Sequence, residues 1–409
     1  MTGVGLFGAV LLLYTLLSKR IAGTTVSPAM VFALSGLVVG AVGGADVKPS
    51  ELESGASETL LLLAELALGL VLFADAATLG LRRLRSDSSL ADRLLGFGLP
   101  LTIAAGVLGG LALFGHLDIW ELVLIAALLA PTDAALAAPV VSDRRVPARI
   151  RNALDVEAGL NDGGSVPVVM FALAATVAVK GSPEHGLAHE ALVIIGGGVV
   201  VGAVAGAIGG RVVALAIRRR TVATAYEQMA VAALAVVTFF AADAIGASGF
   251  IAAFVAGLLA AAPLGDRRER LTEFMEEDGQ ILSFAVFFIF GILAAGLLDD
   301  FTWAVAAYAV LSLTVVRMVP VALAMVGSGL RPPTLAFLGW FGPRGIASIA
   351  LLFVVISDAH ELPGMATIEA TVVATVLLSI IAHGVSAPSL VARYARYVGT
   401  LRKDSRELG

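Results

Sequence analysis

The sequence contains no cysteine, which removes disulfides, thiolate metal sites and thiol redox chemistry from consideration. Its five histidines are scattered without metal-ligand spacing, so a metalloenzyme is not indicated. Charge is scarce: 14% of 409 residues are charged against 58% hydrophobic, and mean hydropathy is +0.95. No soluble domain needs so much apolar surface, and long apolar runs recur from end to end. The short alternating segments of a membrane β-barrel are missing. What remains is an all-α polytopic membrane protein, with no cofactor and no nucleic-acid partner expected.

Thirteen spans of roughly twenty residues each are expected. They run over 2–18, 27–44, 59–80, 94–114, 119–141, 150–179, 187–217, 222–243, 246–263, 280–298, 301–327, 333–356 and 364–392. The first run lacks a basic segment before it, and Lys19 and Arg20 follow it, the order of an uncleaved first helix rather than a signal peptide. Positive charge then tests the count. Twenty-two of the 27 basic residues fall on one side of this topology, in alternate loops and in the tail from Arg393. The other side has only Lys48 and Lys180, with the acidic loops Asp46–Glu58 and Asp299–Asp300. The expected orientation is therefore N-terminus outside and C-terminus cytoplasmic, in a bacterial-type inner membrane.

Two spans are interrupted, the fifth at Pro131-Thr132-Asp133 and the twelfth at Gly342-Pro343-Arg344-Gly345. They lie seven helices apart, and an odd offset reverses orientation, so the pair reads as inverted repeats with two unwound crossing helices. Helices 4–6 and 11–13 form the paired triplets, with helix 7 linking the halves. The chain is then one transmembrane unit over 1–409, ending in a short tail over 393–409.

Between Leu128 and Val169 four carboxylates, Asp133, Asp155, Glu157 and Asp162, stand in apolar sequence. A charge at bilayer depth is costly and marks an ion or proton path. In helix 6, Glu157 and Asn161 share one face and Asp155 and Asp162 another. A lone carboxylate at low dielectric can be neutral or charged near physiological pH. Asp162 can thus hold a proton or a monovalent cation, but not both, which is the minimal machinery of exchange. Asp133, at a helix break beside Thr132 and free carbonyls, offers hard oxygen ligands for an alkali cation. Asn161 positions a neighbour without adding charge. Glu157 and Arg344 read as a buried pair across the half-repeats. Arg317 reads as structural, near a helix end or paired with a carboxylate, and Asp155 as peripheral. Asp75, near the cytoplasmic end of helix 3, either lines an access funnel or snorkels to the interface.

The strings APTDAA, EAGLNDGG and GWFGPRGIAS resemble the sodium/proton antiporters of the cation:proton antiporter-1 family, in its bacterial NhaP-like branch, related to eukaryotic sodium/proton exchangers. The resemblance covers essentially the whole chain. It implies a homodimer in which a core (91–179 and 301–392) moves against dimerisation helices (1–90 and 222–298), with 187–217 as linker helix. It matches Thr132 and Asp133 to the threonine-aspartate of the helix 5 crossover. Asn161 and Asp162 match the asparagine-aspartate pair of electroneutral members, and Glu157 and Arg344 the buried ion pair. Two departures stand out: Ala158 occupies a position where the family usually has Ser, and the helix 3 acid is shifted to Asp75 in Phe73-Ala74-Asp75.

The expected function is therefore electroneutral exchange of one sodium ion for one proton in pH homeostasis, with both competing for Asp162 and the core moving as a rigid body. Ala158 removes one hydroxyl ligand and leaves the sodium-versus-potassium preference open; potassium/proton exchange, or sodium-coupled solute symport on a similar scaffold, is the second transporter reading. An intramembrane aspartyl protease would need a Gly-x-Gly-Asp context, which neither Asp133 nor Asp162 has. A passive channel fits buried charges at broken helices poorly.

Overall fold

In hydrocarbon an unbonded backbone amide costs several kcal/mol, so an apolar run is crossed by a helix or a closed barrel. The computed structural model of this chain takes the first solution. It describes residues 2–21, 24–43, 55–86, 89–180, 187–359, 362–402 and 405–408; at 2, 55–61, 79–86, 89, 178–180, 187, 266, 268, 269 and 273–279 it describes the backbone alone. Lys48, the acidic stretch from Asp46 as far as residue 54, and Lys403 of the tail lie outside the described residues.

No strand occurs among the described residues. The chain begins with α1 (Thr2–Ile21), α2 (Pro28–Gly43) and α3 (Gly55–Ser86). A π-turn at Leu94–Gly98 joins α4 (Ser89–Arg93) to α5 (Leu99–Leu113). Then come α6 (Ile119–Leu128), α7 (Ala134–Val141) and α8 (Ala148–Lys180). Two further π-turns make one run of α9 (Leu187–Ala191), α10 (Gly197–Val204) and α11 (Gly210–Arg218). Next are α12 (Glu227–Asp243), α13 (Gly249–Leu264) and α14 (Arg268–Gly296). The last five are α15 (Trp303–Leu313), α16 (Val315–Ala324), α17 (Pro332–Trp340), α18 (Ile346–Ala359) and α19 (Met365–Val398).

Each of the thirteen expected apolar runs contains helix among the described residues, the fifth and twelfth being interrupted. Among the described residues, seven helical runs are long and apolar enough to cross a membrane by length and composition: Gly3–Ile21, Leu90–Leu113, Ala148–Val177, Ala188–Arg218, Thr224–Asp243, Trp303–Ala324 and Met365–Val398. Elsewhere the helices depart from the apolar pattern. α14 starts at Arg268, twelve residues before the expected run, because its charged first turns are rich in Glu, Arg, Leu and Met, all good helix formers. The eleventh run is broken at Thr314, which sequence periodicity does not reveal. Thr314 leaves helical angles (φ −112°, ψ −93°), and its hydroxyl donates back to the Val310 carbonyl, the i−4 bond that bends helices.

The chain divides into two compact units: Met1–Leu60, Ser89–Ala158 and Phe284–Gly409 in the first, and Leu61–Ser88 and Gly159–Ser283 in the second. The boundaries fall inside α3, α8 and α14 and just before α4. In the first unit, α2 lies against the later turns of α14 at Gly36, Gly40 and Gly291, where an added Cβ would strike the partner backbone. The Phe32 and Phe284 rings stack beside this crossing, with centroids 4.5 Å apart. A larger apolar core gathers Leu94, Ile150, Leu154, Val321, Leu338 and Val391.

The second unit is held by a ladder of small residues. Gly198, Gly202, Gly206 and Gly210 recur every fourth position along α10 and α11, and they pack on Ser248, Ala252, Ala256 and Ala260 of α13. Between membrane helices no hydrophobic force favours association over lipid contact, so this close backbone approach supplies the attraction. Phe73, Val231, Ala253 and Leu264 form the adjoining core. A methyl group at Gly202 would meet the Ala252 backbone, whereas one at Gly8 meets nothing within 4 Å. Gly202→Ala is therefore expected to destabilise the protein by about 1–3 kcal/mol in a thermal melt in detergent. Gly8→Ala, in the same assay, should leave the midpoint unchanged or slightly raised.

Candidate functional site

Pro131 has no backbone N–H and cannot continue α6, so helix ends at Leu128 and resumes at Ala134. Gly342-Pro343 has the same effect after α17, and helix resumes at Ile346. The two non-helical segments lie together in the first unit, and Asp133 joins them. Its Oδ1 accepts from the Leu136 amide at 2.8 Å, capping α7. Its Oδ2 accepts from the Ile346 amide at 2.6 Å, capping α18. The Asp133 amide donates to the Pro343 carbonyl at 2.7 Å. One carboxylate thus faces the positive ends of two helices.

Arg344 does the converse. Its Nη1 donates to the Ala130 carbonyl and, at 3.0 Å, to the Pro131 carbonyl, so a cation sits on the freed carbonyls after α6. Its amide donates to Ser379 Oγ at 2.6 Å. The Ser348 hydroxyl donates to the Leu128 carbonyl at 2.6 Å. His383 Nε2 lies 2.8 Å from the Trp340 carbonyl, which ends α17. Thr132 is buried. The breaks are therefore closed by side chains from α18 and α19, and Ser348, Ser379 and His383 were not legible as partners in the sequence.

The carboxylate of Glu157 is not bound to Arg344, as the sequence suggested, but to Arg317 of α16. Glu157 Oε1 lies 2.5 Å from Arg317 Nη1, and Oε2 accepts from Nη2 at 2.8 Å. This bidentate geometry is the strong form of an ion pair, and both residues are only 2% exposed. The physical reason is that Arg344 is committed to the carbonyls, while Arg317 projects from a helix that enters the same core. A cation in the apolar string SLTVVRMVP was the signal for this partner. Asp155 is exposed, and Arg149 and Arg151 bond main-chain carbonyls.

Asn161 and Asp162 stand in the second unit, on the continuation of α8, and both are buried, Asp162 at 6% exposure. Ser165 Oγ donates to the Asp162 carbonyl at 3.0 Å. Gly163 packs flat on the Phe254 ring with no room for a side chain. Asp75 is half-buried on α3 in the same unit. Among the described residues no group of three or more His, Cys, Asp or Glu is arranged to hold a metal ion.

The sequence pattern of the family described as "Sodium/hydrogen exchanger, transmembrane" matches residues 7–393. The chain belongs to the sodium/hydrogen exchanger family. As a family member it is a multi-pass membrane transporter, not an enzyme. An uncharacterized Na(+)/H(+) exchanger of Escherichia coli (strain K12), YjcE, is 28% identical to this exchanger over 183 residues. That match spans 43% of this chain and 33% of the relative, so only a third of the relative's length is covered. Two structures of the sodium proton antiporter MjNhaP1 from Methanocaldococcus jannaschii share the fold, with TM-scores of 0.76 and 0.73 at 20% identity. They cover 97% and 98% of the exchanger and 99% of their own chains.

Removing one partner of a buried pair strands the other charge, at a cost of about 3–5 kcal/mol. A double-mutant cycle of Glu157→Gln with Arg317→Gln should therefore show the large coupling that neighbours show. The Glu157→Gln and Arg344→Gln cycle should couple much less. Equal coupling in the two thermal-stability cycles would refute the assignment of Arg317 as the partner.

Proposed function

We propose that this exchanger moves one sodium ion against one proton, electroneutrally, by alternating access, with both ions competing for Asp162. The observation that carries the reading is the division of labour along α8. Glu157 is neutralised by Arg317, whereas Asp162, further along the same helix, is a second buried carboxylate. A buried carboxylate that takes either a proton or a cation performs the exchange by competition alone. Asn161 beside it adds a polar group without charge, in keeping with a one-for-one stoichiometry. Thr132 and Asp133 are the remaining candidate ligands for the alkali cation, and Asp75 lines the access funnel.

The larger expectations belong to the same reading. Thirteen helical runs cross the membrane, with the N-terminus outside and the C-terminus cytoplasmic in a bacterial-type inner membrane. The breaks at 129–133 and 341–345 are the unwound centres of two inverted repeats, and the core helices move against dimerisation helices in a homodimer. The basic residues gathered on one side of this topology support it.

In proteoliposomes with an imposed pH gradient, Asp162→Asn is expected to abolish dissipation of the gradient by sodium, and full activity in that variant ends the proposal. A valinomycin clamp should not change the wild-type rate, as electroneutral exchange requires. The same vesicles settle the cation: sodium and lithium should dissipate the gradient, and a response to potassium alone would reverse the assignment. Ala158 is buried, at the position where the family resemblance implies Ser. Ala158→Ser should raise apparent sodium affinity roughly threefold to tenfold, the worth of one added oxygen ligand to a charged species.

A further inference from the structure

A groove of about 730 Å³ opens between α16, α17 and α19 in the first unit, beside the break that carries Arg344. Its wall is apolar, with Met318, Phe337, Trp340 and Leu390, and Arg393 and Tyr397 also line it. The volume is typical of small-molecule sites. Pro332, at the start of α17, also lines the groove. Trp340 lies eight residues on, about 12 Å further along that helix. Arg393 stands five residues before the end of α19, so its charge lies about 7–8 Å from that helix end. The groove thus has a cationic end near the helix termini and an apolar end deeper in the bundle.

Two groups at the cationic end lack a partner. Arg393 is exposed, and no hydrogen bond or ion pair engages it among the described residues. The Tyr397 hydroxyl is buried with no hydrogen-bond partner among the described residues. A ligand that satisfies them must be anionic or acceptor-rich at one end and apolar over the rest of its length. Alkali cations have the wrong charge, and a neutral lipid leaves Arg393 unpaired. Basic pockets between membrane helices suit anionic headgroups.

We propose that this groove binds one anionic phospholipid, with its phosphate on Arg393 and Tyr397 and an acyl chain against Phe337, Trp340 and Leu390. The bound chain rests on the last turn of α17. There Trp340 Nε1 donates to Ser386 Oγ at 2.9 Å and the Trp340 carbonyl meets His383. Phe341, the next residue, begins the non-helical segment that carries Arg344. A lipid in this place holds α17 against α19 immediately before the break. Binding itself does not depend on which cation is exchanged.

The chain has three tryptophans, at 120, 303 and 340, so a Trp120→Phe and Trp303→Phe background leaves Trp340 as a single reporter inside the groove. The experiment reads quenching of Trp340 in phosphatidylcholine vesicles doped with brominated phosphatidylglycerol or with brominated phosphatidylcholine. The anionic lipid should quench at a roughly fivefold lower mole fraction, the preference conferred by one basic residue. Arg393→Gln should make the two lipids equivalent. Ala336→Phe, which fills the groove and leaves Arg393 intact, should also remove the preference. Equal quenching by the two lipids in the Trp340 reporter protein overturns the proposal, as does a preference that survives Arg393→Gln. Loss of the preference on adding soluble glycerol phosphate would overturn it too, by showing a bare phosphate site. Monodispersity and helical circular dichroism of each variant separate loss of the lipid from loss of the fold.

Discussion

The first unit depends on one constraint: a helix broken inside apolar surroundings must still bond every backbone group that the break sets free. Water is not at hand to do so, and each unmet group costs several kcal/mol. Asp133 answers for the two helix starts, accepting from Leu136 and from Ile346. Arg344 answers for the carbonyls of Ala130 and Pro131, and Ser348 for that of Leu128. The Asp133 amide takes the carbonyl of Pro343, and His383 meets that of Trp340. The anion faces helix starts and the cation faces carbonyl ends, so the charges offset the dipoles of the half-helices rather than each other.

Such close approach leaves no room for side chains. A Cβ at Gly345 would overlap the Asp133 carboxylate, and one at Gly342 would clash with the Arg317 guanidinium. Gly342 and Gly345 are therefore needed for space and not for an unusual φ, since neither has a positive φ. The second unit uses glycine for the same purpose at a different scale. Its four-residue repeat from Gly198 to Gly210 brings whole helices, not single groups, into backbone contact. In both places the sequence spends its small residues where contact with lipid would otherwise be as favourable as contact with protein.

The helices were largely legible because an apolar run of membrane length has few conformations open to it. The breaks at Pro131 and Pro343 were legible as well, since proline and glycine act locally. The partner of Glu157 was not. Choosing Arg317 over Arg344 depends on how α16 and the segment before α18 are set against α8, a tertiary register that spacing along one helix does not encode. The same holds for Ser379 and His383, whose spacing on α19 reads as ordinary polar packing until the segment at Arg344 lies beside them. The bend at Thr314 was hidden because a back-bonded threonine looks, in sequence, like any residue of an apolar helix.

The partner choice alters how the acids of α8 are to be understood. Had Glu157 bound Arg344, the cation at the break would have been shared between a carboxylate and the carbonyls, and any rearrangement of the break would have disturbed Glu157. Pairing Glu157 with Arg317 separates the two tasks. The ion pair ties α8 to α16 through side chains alone, while the break is closed through main-chain groups held by Asp133 and Arg344. The guanidinium of Arg344 leaves Nε and Nη2 without hydrogen-bond partners among the described residues. It is therefore bound more loosely than that of Arg317, which has a bidentate carboxylate. Of the two buried cations, the one at the break has two guanidinium nitrogens without partners among the described residues, against one, Nε, on Arg317. A buried group in that condition gains most from any rearrangement that offers it another acceptor.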